Sequence, residues 1–518
     1  MTDRRQFLKA GAALASVGPA LARADERPRL WQGRDFGPVP AVSDRLDQGP
    51  FGIEQDEGWY TIATTTPDAG RVRNPGLGLV GYTWEENGPA LAARAGRETL
   101  EQSVEELAAL PFVDVLYIRC DWRDVQSRPG RLDLNPVFAL TRDAARRRGR
   151  RFAFRIQLSN PEIQPAKLAI PDFLQEKVPL VTIRRPVPGS PDRVEPRYDH
   201  PEFQAAFREL NELVAAEFDG DPLVEFADLM MYGFWGEGHT SDYPSPIPDP
   251  ALAERTFVEM TERQIAAWRR VPLVVNTQPD ISRTGNRAVL DRAVRSGCWL
   301  RSDSVILDEP EQIEELSHRP PWLAVVMEDG YHRHYRTDTA RYRVDAAGVD
   351  VIEHTMLHAL DVGANYWSLW TEAGNVARYR ERRPSAFEAL ERRIGYRVRP
   401  SWVWQRKRSS TDELVVAFAN DGVASVPGVL RVLAETRDGK PLAGGALDAG
   451  HPFAGRLRLA SFLLPPGMGG SEVRLRAEIE IKGLRRPVRW ACAQPPDADG
   501  ALVVRLKKPD EPDWRKGV

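Results

Sequence analysis

The chain has 518 residues and a formal charge of −3, from 71 Lys and Arg against 74 Asp and Glu. That is too long for one small core and lacks the basic excess of a nucleic-acid-binding surface. Cys120, Cys298 and Cys492 are few, far apart and odd in number, which argues against a disulfide framework.

The N-terminus reads Met1-Thr-Asp-Arg-Arg-Gln-Phe-Leu-Lys9, then a short apolar run from Ala10 to Leu21, then Ala22-Arg23-Ala24. An arginine pair, an apolar run too short to cross a bilayer and a small-x-small cleavage site resemble a bacterial twin-arginine export signal over residues 1–24. The expected location is therefore periplasmic or secreted, with the chain folded before export and no stable membrane anchor. Residues 25–73, rich in Pro, Gly, Asp and Arg and with little periodicity apart from a short Trp59–Ala63 piece, are expected to form an extended lead-in.

From Asn74 the pattern changes to short apolar runs alternating with amphipathic helical spacing, the signature of a parallel sheet built from strand-helix units. The predicted strands are Gly78–Trp84, Val113–Trp122, Arg151–Leu158, Ala227–Glu237, Pro272–Gln278, Cys298–Val305, Trp322–Asp329 and Ala364–Glu372. Eight such units over residues 74–399 predict an α/β fold, a (β/α)8 TIM barrel; no Gly-rich phosphate fingerprint follows the first strand to favour an open doubly wound sheet. Insertions after the third strand, from Ser159 to about His200, and after the fourth, from Gly238 to Pro250, would wall a groove on the barrel's C-terminal face. Beyond Pro400, alternating segments at 413–419, 428–436, 456–464, 472–481 and 502–506 predict an all-β sandwich over residues 400–518, an accessory domain with a structural or sugar-binding role.

Candidate chemistry gathers at the predicted strand ends. The run Asp228-Leu-Met-Met-Tyr-Gly-Phe-Trp-Gly-Glu-Gly-His239 starts apolar and ends with Glu237 between two glycines, and the seventh strand ends in Glu328. A buried strand gains nothing from a carboxylate that must be desolvated or paired, so two of them point to function; the plain alternative is a loop cap or an arginine partner. Trp84, Asp121, Arg155, Trp235, Asn276, Gln278, Asp303, Trp370 and Glu372 fall at the same rim and are the candidate substrate-binding residues. Two carboxylates amid aromatic rings and amides suit glycosidic bond cleavage, in which one donates a proton and the other attacks the sugar or activates water. No metal or other cofactor is called for.

Tyr117-Ile-Arg-Cys-Asp-Trp122, Pro129-Gly-Arg-Leu-Asp133, the Glu237 and Glu328 segments and Asn365-Tyr-Trp-Ser-Leu-Trp370 resemble the (β/α)8 glycoside hydrolases of the retaining clan with the acid/base on strand four and the nucleophile on strand seven. Asn74-Pro-Gly-Leu-Gly78 and Asn420-Asp-Gly-Val-Ala424 are similar to an uncharacterised bacterial group of such barrels with a C-terminal β-domain. The resemblance implies Glu237 as acid/base, Glu328 as nucleophile and an oligo- or polysaccharide with β-linkages as substrate. It also marks a departure: the clan places Asn before the strand-four Glu, to bind the sugar 2-hydroxyl, and here Gly236 stands there. Asn276 or Gln278 could supply that contact; a glycan-binding barrel that has lost catalysis is the alternative.

Other motifs are weaker. His354 and His358 share a helix face, but Thr355 occupies the position where a zinc-protease helix needs Glu, so a surface or core role is expected. Tyr331-His-Arg-His-Tyr335 is a subsite loop or a solvated one, and Arg146-Arg-Arg-Gly-Arg-Arg151 reads as a solvated helix end.

Overall fold

The computed structural model describes residues 59–84, 99–185, 187–241, 243–277, 286–303, 310–328, 351–369, 373–407 and 411–508. In chain order the first strands are β1 Trp59–Thr64, β2 Gly78–Trp84, β3 Val115–Asp121, β4 Arg151–Gln157, β5 Leu180–Ile183 and β6 Arg193–Pro196. They are followed by β7 Val224–Asp228, β8 Leu273–Asn276, β9 Trp299–Ser302, β10 Val325–Glu328 and β11 Tyr366–Leu369.

Eight of these close into one all-parallel barrel in the order β2-β3-β4-β7-β8-β9-β10-β11, with β11 pairing back to β2. Strands such as β3 are buried on both faces, so they read as continuous apolar runs rather than alternating ones. The outer layer is helical. The helix Leu100–Ala109, for example, starts at a Thr99–Gln102 capping box and turns Val104, Leu107 and Ala108 inward. Side chains from facing strands fill the barrel floor, where Phe226 packs on Trp299 and Tyr366 with ring centroids 6.3 and 5.4 Å apart.

One boundary differs in a way that matters. Strand four ends at Asp228, not Glu237, and Leu229–His239 is an irregular segment. Leu229, Met230, Met231 and Tyr232 are buried like strand residues, which explains the apolar run, but beyond Leu229, whose amide still donates to the Val274 carbonyl at 2.8 Å, the backbone leaves the ladder. It meets the β4 side again at an isolated bridge between Ser159 and Phe234. Gly233, at φ 76°, lets the segment turn so tightly that a Cβ there would lie 2.1 Å from the His239 carbonyl oxygen. The insertion after β4 contains the β5–β6 hairpin.

The C-terminal strands are β12 Val398–Lys407, β13 Asp412–Asn420, β14 Val429–Thr436, β15 Pro441–Ala446, β16 Leu457–Leu463, β17 Glu472–Ile481, β18 Leu484–Val488 and β19 Leu502–Arg505. They build two antiparallel sheets, β1-β12-β13-β16 and β15-β14-β17-β18 with β19 on β17. The first sheet takes β1 from the segment expected to be an extended lead-in.

One continuous apolar core runs through the barrel and both sheets. A buried ionic knot also joins them: Glu225, at the N-terminal end of the barrel, pairs with Arg151 of β4 and with Arg486 of β18, and accepts from Tyr366 Oη at 2.5 Å and the Gly76 amide at 2.7 Å. Burial alone would raise the Glu225 carboxyl, but these partners bring it down to about 2. Arg151, read in sequence as part of a solvated run, is thus a half-buried partner at the barrel floor; Arg146, Arg147 and Arg148 of that run are exposed.

All three cysteines are free and buried. No helix among the described residues is long and apolar enough to cross a membrane, and those residues hold no cluster of three or more His, Cys, Asp or Glu side chains suited to a metal ion.

Candidate active site

Inward-facing positions alternate along the barrel strands. On β3 they are Tyr117, Arg119 and Asp121; on β4, Arg155 and Gln157; on β9 and just beyond it, Arg301 and Asp303. Asp228 ends β7, Asn276 ends β8 and Glu328 ends β10. The result is a charged layer above the aromatic floor, in which Arg119, Arg155 and Arg301 face Asp228, Glu237, Asp303 and Glu328, all almost fully buried.

Arg119 stands at the centre. Its Nη1 lies 3.3 Å from Glu237 Oε1, and its Nη2 lies 3.3 Å from Glu328 Oε2 and 3.8 Å from Asp303 Oδ1. Glu328 Oε2 also accepts from Arg301 Nη2 at 2.6 Å and from Tyr82 Oη at 2.7 Å. Burial pushes the Tyr82 phenol well above its ordinary value, against the pull of Arg301, so it stays protonated and donates. Tyr117 does the same for Asp228, donating at 2.7 Å to Oδ2, with the Arg301 guanidinium 5.0 Å over its ring.

Arg155 donates through Nε to Asp228 at 2.8 Å and through Nη1 to Asp303 at 3.0 Å and to the Trp235 carbonyl at 3.2 Å. Burial would raise the Asp303 carboxyl, but Arg155, Arg301 and Arg119 hold it well below the usual carboxylate range. Asn276 donates to Asp303 Oδ2 at 2.5 Å.

Glu237 reaches this cluster from the irregular segment. The Ser241 amide donates to His239 Nδ1 at 3.1 Å, which leaves the imidazole proton on Nε2, 3.1 Å from Glu237 Oε2. Arg119, Arg155 and His239 thus converge on one carboxylate, with Arg155 Nη1 3.6 Å from Oε1. Nearer the rim, Asp121 accepts from Gln157 Nε2 at 3.2 Å and from Asn160 Nδ2 at 3.1 Å.

The structure therefore brings Glu237, Glu328, Arg155, Asn276 and Asp303 into one network, with Asp121 beside it. Trp235 is different: it is 1% exposed and sits in a small apolar cluster with Ile183, Phe234 and Tyr243, so it walls the turn instead of offering an open platform for sugar. Gln278, Trp370, Glu372, the Tyr331–Tyr335 segment and the Trp84 side chain lie outside the described residues. His354 is exposed on its helix, as its sequence context implied.

Sequence reasoning missed Tyr82, Arg119, Asp228, His239 and Arg301. The signal was present for the two arginines. Each interrupts an apolar run at the middle of a barrel strand, Ile118-Arg-Cys120 and Leu300-Arg-Ser302, where a charge must find a buried partner.

No family model and no curated protein matches the chain. Among solved structures it is similar to endo-glycoceramidase II from Rhodococcus sp., at 14% identity and a TM-score of 0.37, over 78% of this chain and 100% of that one. It is also similar to an exo-β-1,4-mannosidase from Opitutaceae bacterium strain TAV5, at 13% identity and a TM-score of 0.34, over 59% and 55% of the two chains. A third is the catalytic domain of a β-amylase from Paenibacillus polymyxa, at 8% identity and a TM-score of 0.38, over 58% and 96%.

Proposed function

We propose that this protein is an exported glycoside hydrolase that cleaves β-linked oligo- or polysaccharides at the C-terminal mouth of its barrel, residues 74–399, with residues 400–518 as an accessory β-sandwich. The observation that carries the reading is the Arg119 guanidinium, which touches Glu237 with one terminal nitrogen and Glu328 with the other, each at 3.3 Å. One guanidinium thus joins two carboxylates from different parts of the barrel mouth, and pairs of carboxylates cleave glycosidic bonds at separations of ~5–9.5 Å. In this reading Glu328, steadied by Tyr82 and Arg301, attacks the anomeric carbon. Glu237 protonates the leaving oxygen and then takes a proton from the water that releases the sugar.

A second reading, a barrel that binds glycans without turnover, is favoured by Gly236. It stands at φ 70° where the clan that the sequence resembles has Asn, and Asn276, one of the two substitutes the sequence offers, is engaged with Asp303.

The test is a screen of the mature protein against plant, algal and bacterial polysaccharides, reading binding and new reducing ends together. On an active substrate, Glu328→Ala should abolish turnover and azide should restore part of it as a glycosyl azide of inverted configuration. Glu237→Ala should spare activated aryl glycosides relative to substrates with poor leaving groups. Binding without reducing ends supports the second reading; wild-type rates in both variants remove this pair from the chemistry.

A further inference from the structure

The insertion after β4 contains a buried carboxyl that the proposed chemistry does not use. Glu195, on β6, is fully buried, and its two oxygens accept from different hydroxyls: Tyr198 Oη at 2.6 Å and Ser159 Oγ in a close contact. Each of those residues also grips the segment that carries Glu237. Tyr198 Oη accepts the Gly233 amide at 3.0 Å, and the Ser159 carbonyl accepts the Trp235 amide at 3.0 Å.

The gripped segment is strained. Trp235, at φ 54°, is a bulky side chain in the left-handed region, followed by Gly236 at 70° and Gly238 at 81°. A conformation of that kind is costly and persists only where its surroundings over-determine it. Internal bonds, such as Phe234 N–H to the His239 carbonyl at 2.7 Å, close the turn upon itself. They do not fix where the closed turn sits relative to the barrel.

We infer that Glu195 is a positioning residue for Glu237: by bridging Ser159 and Tyr198 it clamps the turn at Trp235 and Gly233, and so sets where the Glu237 carboxyl stands over Arg119. The inference rests on the reading of Glu237 as the acid/base. Burial raises the Glu195 carboxyl to about 7, opposed by hydrogen bonds from Ser159, Tyr198 and Gln164 and by the charge of Arg193, which are the groups that face it. Burial also raises the Tyr198 phenol well above its ordinary value, so it remains a donor to Glu195 while accepting from Gly233. The ionised carboxyl accepts from both hydroxyls; once protonated, one of its oxygens carries a hydrogen and the bridge must rearrange. The clamp is therefore complete above neutral pH and loosened below it.

Glu195→Gln and Tyr198→Phe test this in the full chain, with hydrogen exchange and with turnover of 4-nitrophenyl β-glucoside, β-galactoside and β-mannoside. Peptides covering 233–239 should exchange at least about tenfold faster in both variants, while peptides from β3 and β10 keep wild-type rates. On an active glycoside kcat should fall by about ten- to a hundredfold with KM changed less than about threefold, and the wild-type inflection near neutral pH should disappear in Glu195→Gln. Wild-type exchange at 233–239 in the folded variants overturns the clamp, and Tyr198→Phe decides alone if Glu195→Gln does not fold. Faster exchange with unchanged kcat, where Glu237→Ala is inactive, overturns it too. Should Glu237→Ala retain full activity while the turn exchanges faster, the proposed catalytic role fails and the clamp on the turn stands.

Discussion

Glu225 offers the sharpest energetic test, because a single carboxylate neutralises arginines from the barrel and from a C-terminal sheet. Its carboxyl stands at about 2 instead of 4.5. At about 1.4 kcal/mol per tenfold in proton affinity, that difference is worth ~3 kcal/mol of folding stability at neutral pH. The sign follows from the direction of the shift. The folded state holds this proton less tightly than the unfolded chain does, so the contribution is fully present above about 4.5 and is lost as pH falls towards about 2. Glu225→Gln removes it and leaves the half-buried Arg151 and the buried Arg486 without their shared carboxylate, a loss of about 3–5 kcal/mol where a buried pair is broken by removing one partner. Urea unfolding followed by tryptophan fluorescence at pH 7, 4.5 and 3 should show the wild-type advantage over Glu225→Gln largest at pH 7 and shrinking by pH 3. An advantage that is the same at all three values would refute the electrostatic account and leave only packing.

Arg119→Met should lower turnover at least a hundredfold on any active substrate and destabilise the fold by about 3–5 kcal/mol, because Glu237, Glu328 and Asp303 all lose a buried cation at once. Unchanged unfolding and unchanged rates would show that Arg155 and Arg301 suffice. Replacing Arg4 and Arg5 with Lys should leave the precursor in the cytoplasm, as read by fractionation and immunoblotting; normal delivery of that variant would remove the twin-arginine assignment.

The barrel was legible because eight short apolar runs, each followed by helical spacing, leave few other ways to bury that much apolar surface. Glu328 was legible for the same reason, since its strand ends where the apolar run ends. Glu237 was found by its oddity between two glycines but was placed on the wrong element. Leu229, Met230, Met231 and Tyr232 are as buried as strand residues, and burial, not hydrogen bonding, is what an apolar run reports. The decisive information was in Gly233, Gly236 and Gly238, whose positive φ angles turn the chain, and those angles follow from contacts across the segment. The arginines went unread because attention to strand ends passes over the layer one pleat below. The strands β12, β15 and β18 were missed where alternation is broken, by Pro400, by Gly444 and Gly445, and by Pro487.

The pairing of β1 with β12 has a temporal consequence. Thr65, at the end of this strand, donates its hydroxyl to the Pro400 carbonyl 335 residues away in sequence. At 5–20 residues per second, synthesis of the intervening chain takes roughly 17–67 s. For that interval Trp59–Thr64 has emerged without its partner, an unpaired edge of the kind that recruits other chains. Every barrel strand is made before the strand that β1 must wait for. Docking of β1 therefore marks a chain whose barrel is already synthesised.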